Sequence, residues 1–259
     1  MAGVDSFSLS GKVALVTGGA GMYGKQIVEA VSEAGAQVYT ASRNLQSQEE
    51  LAAELVGRGL SVTALRLDQG DEASVNAARD EILHASGRID ILVNNAVSRP
   101  MKDGYASGAE TFAESMRVNA TGLFVITRAI GDAMADGGSI VNIGSIHGMI
   151  APDPTIYEGT EISGWYPDYF FHKGGMINLT RFIASYYGRR GIRCNCVSPG
   201  GFQTEAHPER FVRQYSQRTF LGRMAGDTDL KGVVIFLASD ASAYITGTNI
   251  PVDGGYTAK

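Results

Sequence analysis

Two constellations in the sequence have the residue types and spacing for chemistry. In VALVTGGAGMYGKQIVEA, Gly18, Gly21 and Gly24 recur as G-x-x-G-x-x-G. Glycines at that spacing let the backbone turn sharply. They also let a pyrophosphate approach a helix N-terminus, where unpaired N–H groups and the dipole favour anions. The second constellation is GWYPDYFFHKGGM, which brings Tyr166, Tyr169 and Lys173 into thirteen residues of a chain with eleven tyrosines. A phenol titrates near about 10, so it exchanges protons at working pH only if something beside it favours the phenolate.

The elements that must position these groups are legible as short apolar runs alternating with segments of helical period. The runs are KVALVT, QVYTA, SVTALRL, DILVNNA, SIVNIGS, IRCNCVS and TNIPVDG. They are apolar throughout and do not alternate, which predicts strands covered on both sides, hence a parallel sheet with helices on each face. Right-handed crossovers then favour a doubly wound α/β sheet of about seven strands. No repeat, linker or low-complexity segment divides the chain, so residues 1–259 are expected to form one Rossmann-type domain. The glycine turn sits in a strand–turn–helix unit that closes with a second strand at YTASRN. That strand ends on Ser42 and Arg43, where an NAD site usually has a carboxylate for the ribose 2′-hydroxyl. A hydroxyl and a guanidinium suit a 2′-phosphate, so NADP is the expected preference, with NAD the alternative. Asp68, after the third strand, could accept from an adenine amino group or cap the next helix, as Asp71 could.

Composition excludes other classes. With 44% hydrophobic residues, 259 residues can bury one large core. A formal charge of −5 without basic blocks argues against nucleic acid or an anionic membrane surface as partner. The first residues lack a basic region followed by an apolar run, so no signal peptide is expected, and no window nears the ~18 apolar residues of a membrane span. Cys194 and Cys196 are two apart on one strand face and are expected to be buried, reduced thiols of a cytoplasmic protein. His84, His147, His172 and His207 offer no metal-ligand spacing.

Further motifs share one order along the chain. They are TGGAGMYG, the NNA of Asn94–Ala96, VNATG with Asn119, and GSIVNIGS ending in Ser145. Tyr169-x-x-x-Lys173, SPGG leading to Thr204, and ITGTNIPVDGG follow. From about Lys12 to Gly255 the chain resembles the short-chain dehydrogenases/reductases. The resemblance implies a nicotinamide enzyme in which Tyr169 is the general acid/base and Ser145 hydrogen-bonds the substrate oxygen. Lys173 would hold the tyrosine's charge state and the nicotinamide ribose, and Asn119 a proton-relaying water. Gly18, Gly21, Met22, Tyr23, Gly24, Ser42, Arg43, Asp68, Asn95 and Ala96 would contact the cofactor, as would Pro199, Gly200 and Thr204. The family motif requires a lysine four residues after the tyrosine, one helical turn on, and Tyr169 alone meets it. Its energetics suffice: lowering a phenol by two to three units takes roughly 3–4 kcal/mol. One ammonium about 4 Å away supplies on the order of 4 kcal/mol at an effective dielectric near 20.

The sequence departs from the family pattern in three places. Met22 stands where a glycine is usual, and NNAV replaces NNAG at Val97. Between Ser145 and Tyr169 the chain is longer than usual, inserting a loop at about 151–164 that must emerge over the site mouth. Arg99, His147, Tyr157 and Glu158, with a lid at about 199–222, are expected to face the substrate. Such a polar, charged set favours a secondary alcohol or ketone on a sugar, polyol or sugar acid. A 3-oxoacyl-thioester reductase or a non-catalytic NADP sensor are the alternatives. Relatives usually assemble as tetramers, so a homo-oligomer is expected.

Overall fold

The computed structural model describes residues 3–258. Seven strands build one sheet: β1 (Val13–Thr17), β2 (Gln37–Ser42), β3 (Val62–Arg66), β4 (Ile91–Asn94), β5 (Ser139–Ile143), β6 (Arg193–Pro199) and β7 (Asn249–Val252). Their order is β3-β2-β1-β4-β5-β6-β7, and every neighbouring pair is parallel.

The apolar runs have the cause expected of them. Along β1, Leu15 points into one core with Leu92, Ile140 and Cys194, while Ala14 and Val16 point into the other with Val38 and Val141. The first core is covered by α3 (Glu72–Ser86), α5 (Leu123–Ala133) and α6 (Pro167–Tyr187) through Ile82, Ile130 and Ile183. The second lies under α1 (Met22–Glu33), α2 (Leu45–Gly57) and α8 (Lys231–Ala238) through Ile27, Leu55 and Val234. Each fully buried Leu, Ile or Val contributes about 1.5–3 kcal/mol relative to exposure, so losing either layer of helices would unmake the sheet. The two cysteines are both buried and free, as their spacing implied.

Local signals set the helix ends. Asn44 caps α2 by accepting from the Ser47 N–H at 3.4 Å, and Asp71 caps α3 by accepting from the Ala73 N–H at 3.0 Å. Pro167 opens α6, where a missing N–H costs nothing. The helical stretch that carries Asn119 is not regular. α4 (Ala109–Met116) passes into α5 through a π-helical turn, Arg117–Gly122. There the backbone of Gly122 lies so close to β3's exit that a Cβ would come within 2.4 Å of the Gln69 carbonyl oxygen.

The sheet order reverses between β1 and β4, and the crevice at the carboxyl ends of these strands is where such folds hold ligands. Above it lies a third, smaller core. Ile156 from the 151–164 segment packs there with Phe211 and Tyr215 of α7 (Glu209–Ser216) and with Met224.

Candidate active site

The carboxyl ends of β1, β4, β5 and β6 deliver their loops to one cavity of about 640 Å³. On the β1 side, Gly18 is left-handed, with φ +67°, and a Cβ there would lie 2.9 Å from the Ala96 Cα. A Cβ on Gly24 would reach within 2.2 Å of the Gly18 carbonyl oxygen. At Gly18 and Gly24 this turn accepts only glycine, and it is stitched to the NNA segment. The Thr17 hydroxyl oxygen accepts from the Asn95 and Ala96 N–H groups at 3.1 and 3.0 Å, and the Asn95 amide donates to the Gly18 carbonyl at 2.9 Å. Gly21 caps α1 without covering the first-turn N–H groups, and that turn holds no acidic residue. The open N–H groups and bare turn fit an anionic dinucleotide linkage.

Met22, Tyr23 and Ser42 also line the cavity, as do Asn95, Ala96, Pro199 and Gly200. Tyr23 braces the far wall by donating to the Gly200 carbonyl at 2.8 Å, and its ring meets Phe202 edge-on at 5.1 Å. Arg43 is exposed and does not line the cavity. Asp68 does not line it either. Its carboxylate accepts from the Gly70 N–H at 2.8 Å, bracing the loop after β3, while Asp71 caps the helix.

The opposite wall holds the phenol. Ser145 follows β5, and its hydroxyl oxygen accepts from the His147 N–H at 3.1 Å, which leaves the O–H free to point inward. Tyr169 and Lys173 leave one face of α6. Lys173 is 3% exposed and donates to the Ile143 carbonyl at 2.5 Å, with Nζ 5.8 Å from the centre of the Tyr169 ring. The Arg99 guanidinium lies over the same ring at 4.5 Å. Burial pushes the Tyr169 phenol up, but the charges of Lys173 and then Arg99, with hydrogen bonding from Ser145 and Arg99, outweigh it and hold the phenol below its ordinary value. Burial lowers Lys173 in turn, opposed chiefly by Tyr169. His147 stacks on Phe170 at 4.5 Å and 22°. Burial, and then the Arg99 charge, pull its pKa down to about 4, so its imidazole is neutral near pH 7.

Asn119 lies in the π turn with its side chain fully engaged. Its amide donates to the Ser98 carbonyl at 2.7 Å and to the Ser115 hydroxyl at 2.9 Å, and its oxygen accepts from the Ser98 N–H at 2.8 Å.

The roof departs from the expected polar set. Tyr157 lines the cavity, its phenol pushed up to about 12, mainly by burial. Glu158 is exposed and does not line it, because Gln214 of α7 donates to the main-chain carbonyls of Thr155 and Glu158 at 2.9 and 3.2 Å and turns that stretch outward. Thr204 faces a separate hollow beside α7, where its N–H donates to His207 Nδ1 at 3.1 Å. The residues closing the cavity are apolar or aromatic instead: Ile162, Phe202, Phe211, Tyr215 and Met224. Ile162 comes from the expected 151–164 loop, and Phe202, Phe211 and Tyr215 from the expected 199–222 lid. Their apolar character was not foreseen, nor were Met224 and Asp168, a buried carboxylate lining the cavity beside Tyr169. Among the described residues, no His, Cys, Asp and Glu cluster could hold a metal ion, and no helix is long and apolar enough to cross a membrane.

A family model described as enoyl-(acyl carrier protein) reductase matches residues 20–257. A short-chain type dehydrogenase/reductase from Mycobacterium marinum superposes with a TM-score of 0.88 at 33% identity, covering 100% of both chains. The chain belongs to the short-chain dehydrogenase/reductase family. D-threitol dehydrogenase from Mycolicibacterium smegmatis is 34% identical, over 98% of this chain and 95% of its own length. A gluconate 5-dehydrogenase from Burkholderia cenocepacia, solved with NADP and tartrate, superposes with a TM-score of 0.87 at 32% identity, over 98% of each chain. As a short-chain dehydrogenase/reductase, the protein is an oxidoreductase acting on CH–OH donors.

Proposed function

We propose that this enzyme interconverts a secondary alcohol and a ketone on a carbohydrate-like substrate, a polyol or sugar acid, with NADP preferred over NAD. The reading rests on the Tyr169 phenol, set between Ser145, Lys173 and Arg99 at one wall of the cavity. The nicotinamide, when bound, would carry the hydride. In the reducing direction Tyr169 donates its proton to the substrate oxygen while the Ser145 hydroxyl steadies the developing charge. In the oxidising direction the phenolate accepts that proton, and Lys173 and Arg99 favour the charge it carries beforehand. The Asn119 side chain is fully engaged and does not line the cavity, so the hold on a proton-relaying water expected of this residue is not made by its side chain. The glycine turn and the α1 N-terminus would hold the cofactor pyrophosphate. Ser42 would meet the 2′-position, with Arg43 near enough in sequence to swing toward a 2′-phosphate and no carboxylate at the strand end to repel one.

Arg99 makes no ion pair among the described residues, which suits a substrate bearing an acidic group, and neutral His147 offers both a donor and an acceptor to hydroxyls. The aromatic roof suits the apolar face of a sugar. The relatives named for threitol and gluconate support the same class. The roof also admits the apolar chain of an acyl thioester, so the first experiment compares NADPH and NADH oxidation across sugar-derived ketones, ketoacids and 3-oxoacyl esters. Turnover confined to the acyl esters would overturn the carbohydrate reading. A strong preference for NADH would overturn the cofactor assignment.

A further inference from the structure

Asp168, Ser115 and Asn119 come from three different turns of the chain and meet as one hydrogen-bonded line. All three are nearly sealed, at 2%, 0% and 3% exposure. The Ser115 hydroxyl donates to Asp168 Oδ2 at 2.5 Å, the length of a charge-assisted bond. Having given its only proton to Asp168, Ser115 can only accept from Asn119, and Asn119 Nδ2 donates to it at 2.9 Å. That fixes which way the Asn119 amide faces. Its oxygen is turned to the Ser98 N–H at 2.8 Å, and its second N–H to the Ser98 carbonyl at 2.7 Å. Ser98 is therefore gripped at both of its backbone polar groups, and the next residue is Arg99, whose guanidinium lies 4.5 Å above the Tyr169 ring. A carboxylate in the first turn of α6 thus reaches the opposite side of its own neighbour, Tyr169, by way of α4, the π turn and the loop after β4.

We propose that Asp168 and Ser115 are positioning residues whose hydrogen-bonded line sets the Ser98 backbone and, through it, the place of Arg99 over Tyr169. Asp168 acts through Arg99, and the other groups around Tyr169 are untouched by it. Those groups are Lys173 and His172 on α6, Ser145 and His147 after β5, and Tyr23 on α1. The proposal rests on the oxidoreductase reading only for its kinetic readout.

The test uses the full chain carrying Asp168→Ala, Ser115→Ala, both together, or Asp168→Asn. Alcohol oxidation is followed as kcat/KM against pH, and crystals of Asp168→Ala are compared with the parent. Either alanine variant is expected to lower kcat on the order of 10-fold through misplacement and to move the ascending limb of the pH profile to higher pH, with cofactor affinity retained. The double variant loses no more than the worse single, because both changes cut the same line. Asp168→Asn keeps an acceptor for Ser115 and stays nearer the parent. In an Arg99→Ala background, Asp168→Ala moves the limb no further. An unmoved Ser98–Arg99 segment in the crystals, or a limb shift that adds to that of Arg99→Ala, would overturn the proposal. Should Asp168→Ala fail to fold, the smaller change Ser115→Ala carries the same comparisons. A parent enzyme silent on every alcohol would refute the dehydrogenase reading instead, while the crystals would still decide what holds Arg99.

Discussion

Tyr169 combines an environment that opposes ionisation with neighbours that favour it. Sealing a phenol raises its pKa, yet two cations and a hydroxyl reverse the sign. Replacing the hydroxyl with hydrogen should spare everything except proton transfer. Tyr169→Phe is expected to keep its circular dichroism spectrum and cofactor affinity while kcat falls on the order of 10²–10⁴-fold. Turnover near that of the parent would remove the assignment. Beside it, His172 is buried, with neither ring nitrogen bonded. Burial first, then the charges of Lys173 and Arg99, bring its pKa to about 3. A histidine neutral when folded and protonated when unfolded withdraws stability as pH falls from ~6.5 toward its folded value. Melting temperature should therefore drop through that window. His172→Phe should flatten the drop and, by removing two unsatisfied nitrogens, add on the order of 1 kcal/mol at neutral pH, ~2–4 °C in Tm. An unchanged acid slope in that variant would show that the loss lies elsewhere, with His147 the next candidate.

Among the elements, α7 and the 151–164 segment behave as one piece of roof. Arg218 pairs with Asp153 at 3.0 Å, Gln214 holds two carbonyls of the loop, and the Tyr157 and Phe211 rings lie 5.7 Å apart. The exposed ion pair adds about 0–1 kcal/mol at most, so the apolar contacts carry the docking. Phe211 is 6% exposed and faces both the loop and the cavity. Phe211→Ala should raise KM for the carbonyl substrate on the order of 10-fold while leaving cofactor affinity unchanged. That split is readable by steady-state kinetics beside fluorescence titration with NADPH. Equal losses for both ligands would mean that the roof also shapes the cofactor half.

Over the whole molecule, the sheet was legible because its central strands β1, β4, β5 and β6 are buried on both faces and so read as unbroken apolar runs, and β1 sends alternate residues into separate cores. The glycine turn and the Tyr169–Lys173 pair were legible because each is local, fixed by spacing within one turn. The Ser115–Asp168 contact spans 53 residues, and the π turn arises where Gly122 packs against Gln69, so neither leaves a periodic trace. The two segments of the roof were foreseen, but their apolar face was not, for the same reason: Ile162 and Phe211 meet only after the loop folds onto α7. One surface feature also belongs to this scale. Phe124, Phe171, Phe182 and Tyr186 stand exposed on α5 and α6, with Phe182 and Tyr186 stacked at 6.1 Å. Exposed aromatic rings such as these suit a contact with a second copy of the chain. Light scattering should find an oligomer that Phe182→Glu with Tyr186→Glu reduces to monomers, and a monomeric parent would refute it.

The 151–164 segment leaves the chain just after His147 and rejoins it just before Tyr169. Its two stems are clamped, one by β5 and the other by a twenty-one-residue helix, so the span between them can be rewritten without disturbing the groups that move protons. We propose that specificity in this enzyme is thereby separable from reactivity. Grafting a relative's shorter bridge between the same stems should change which alcohols enter while the chemistry inside stays as it was.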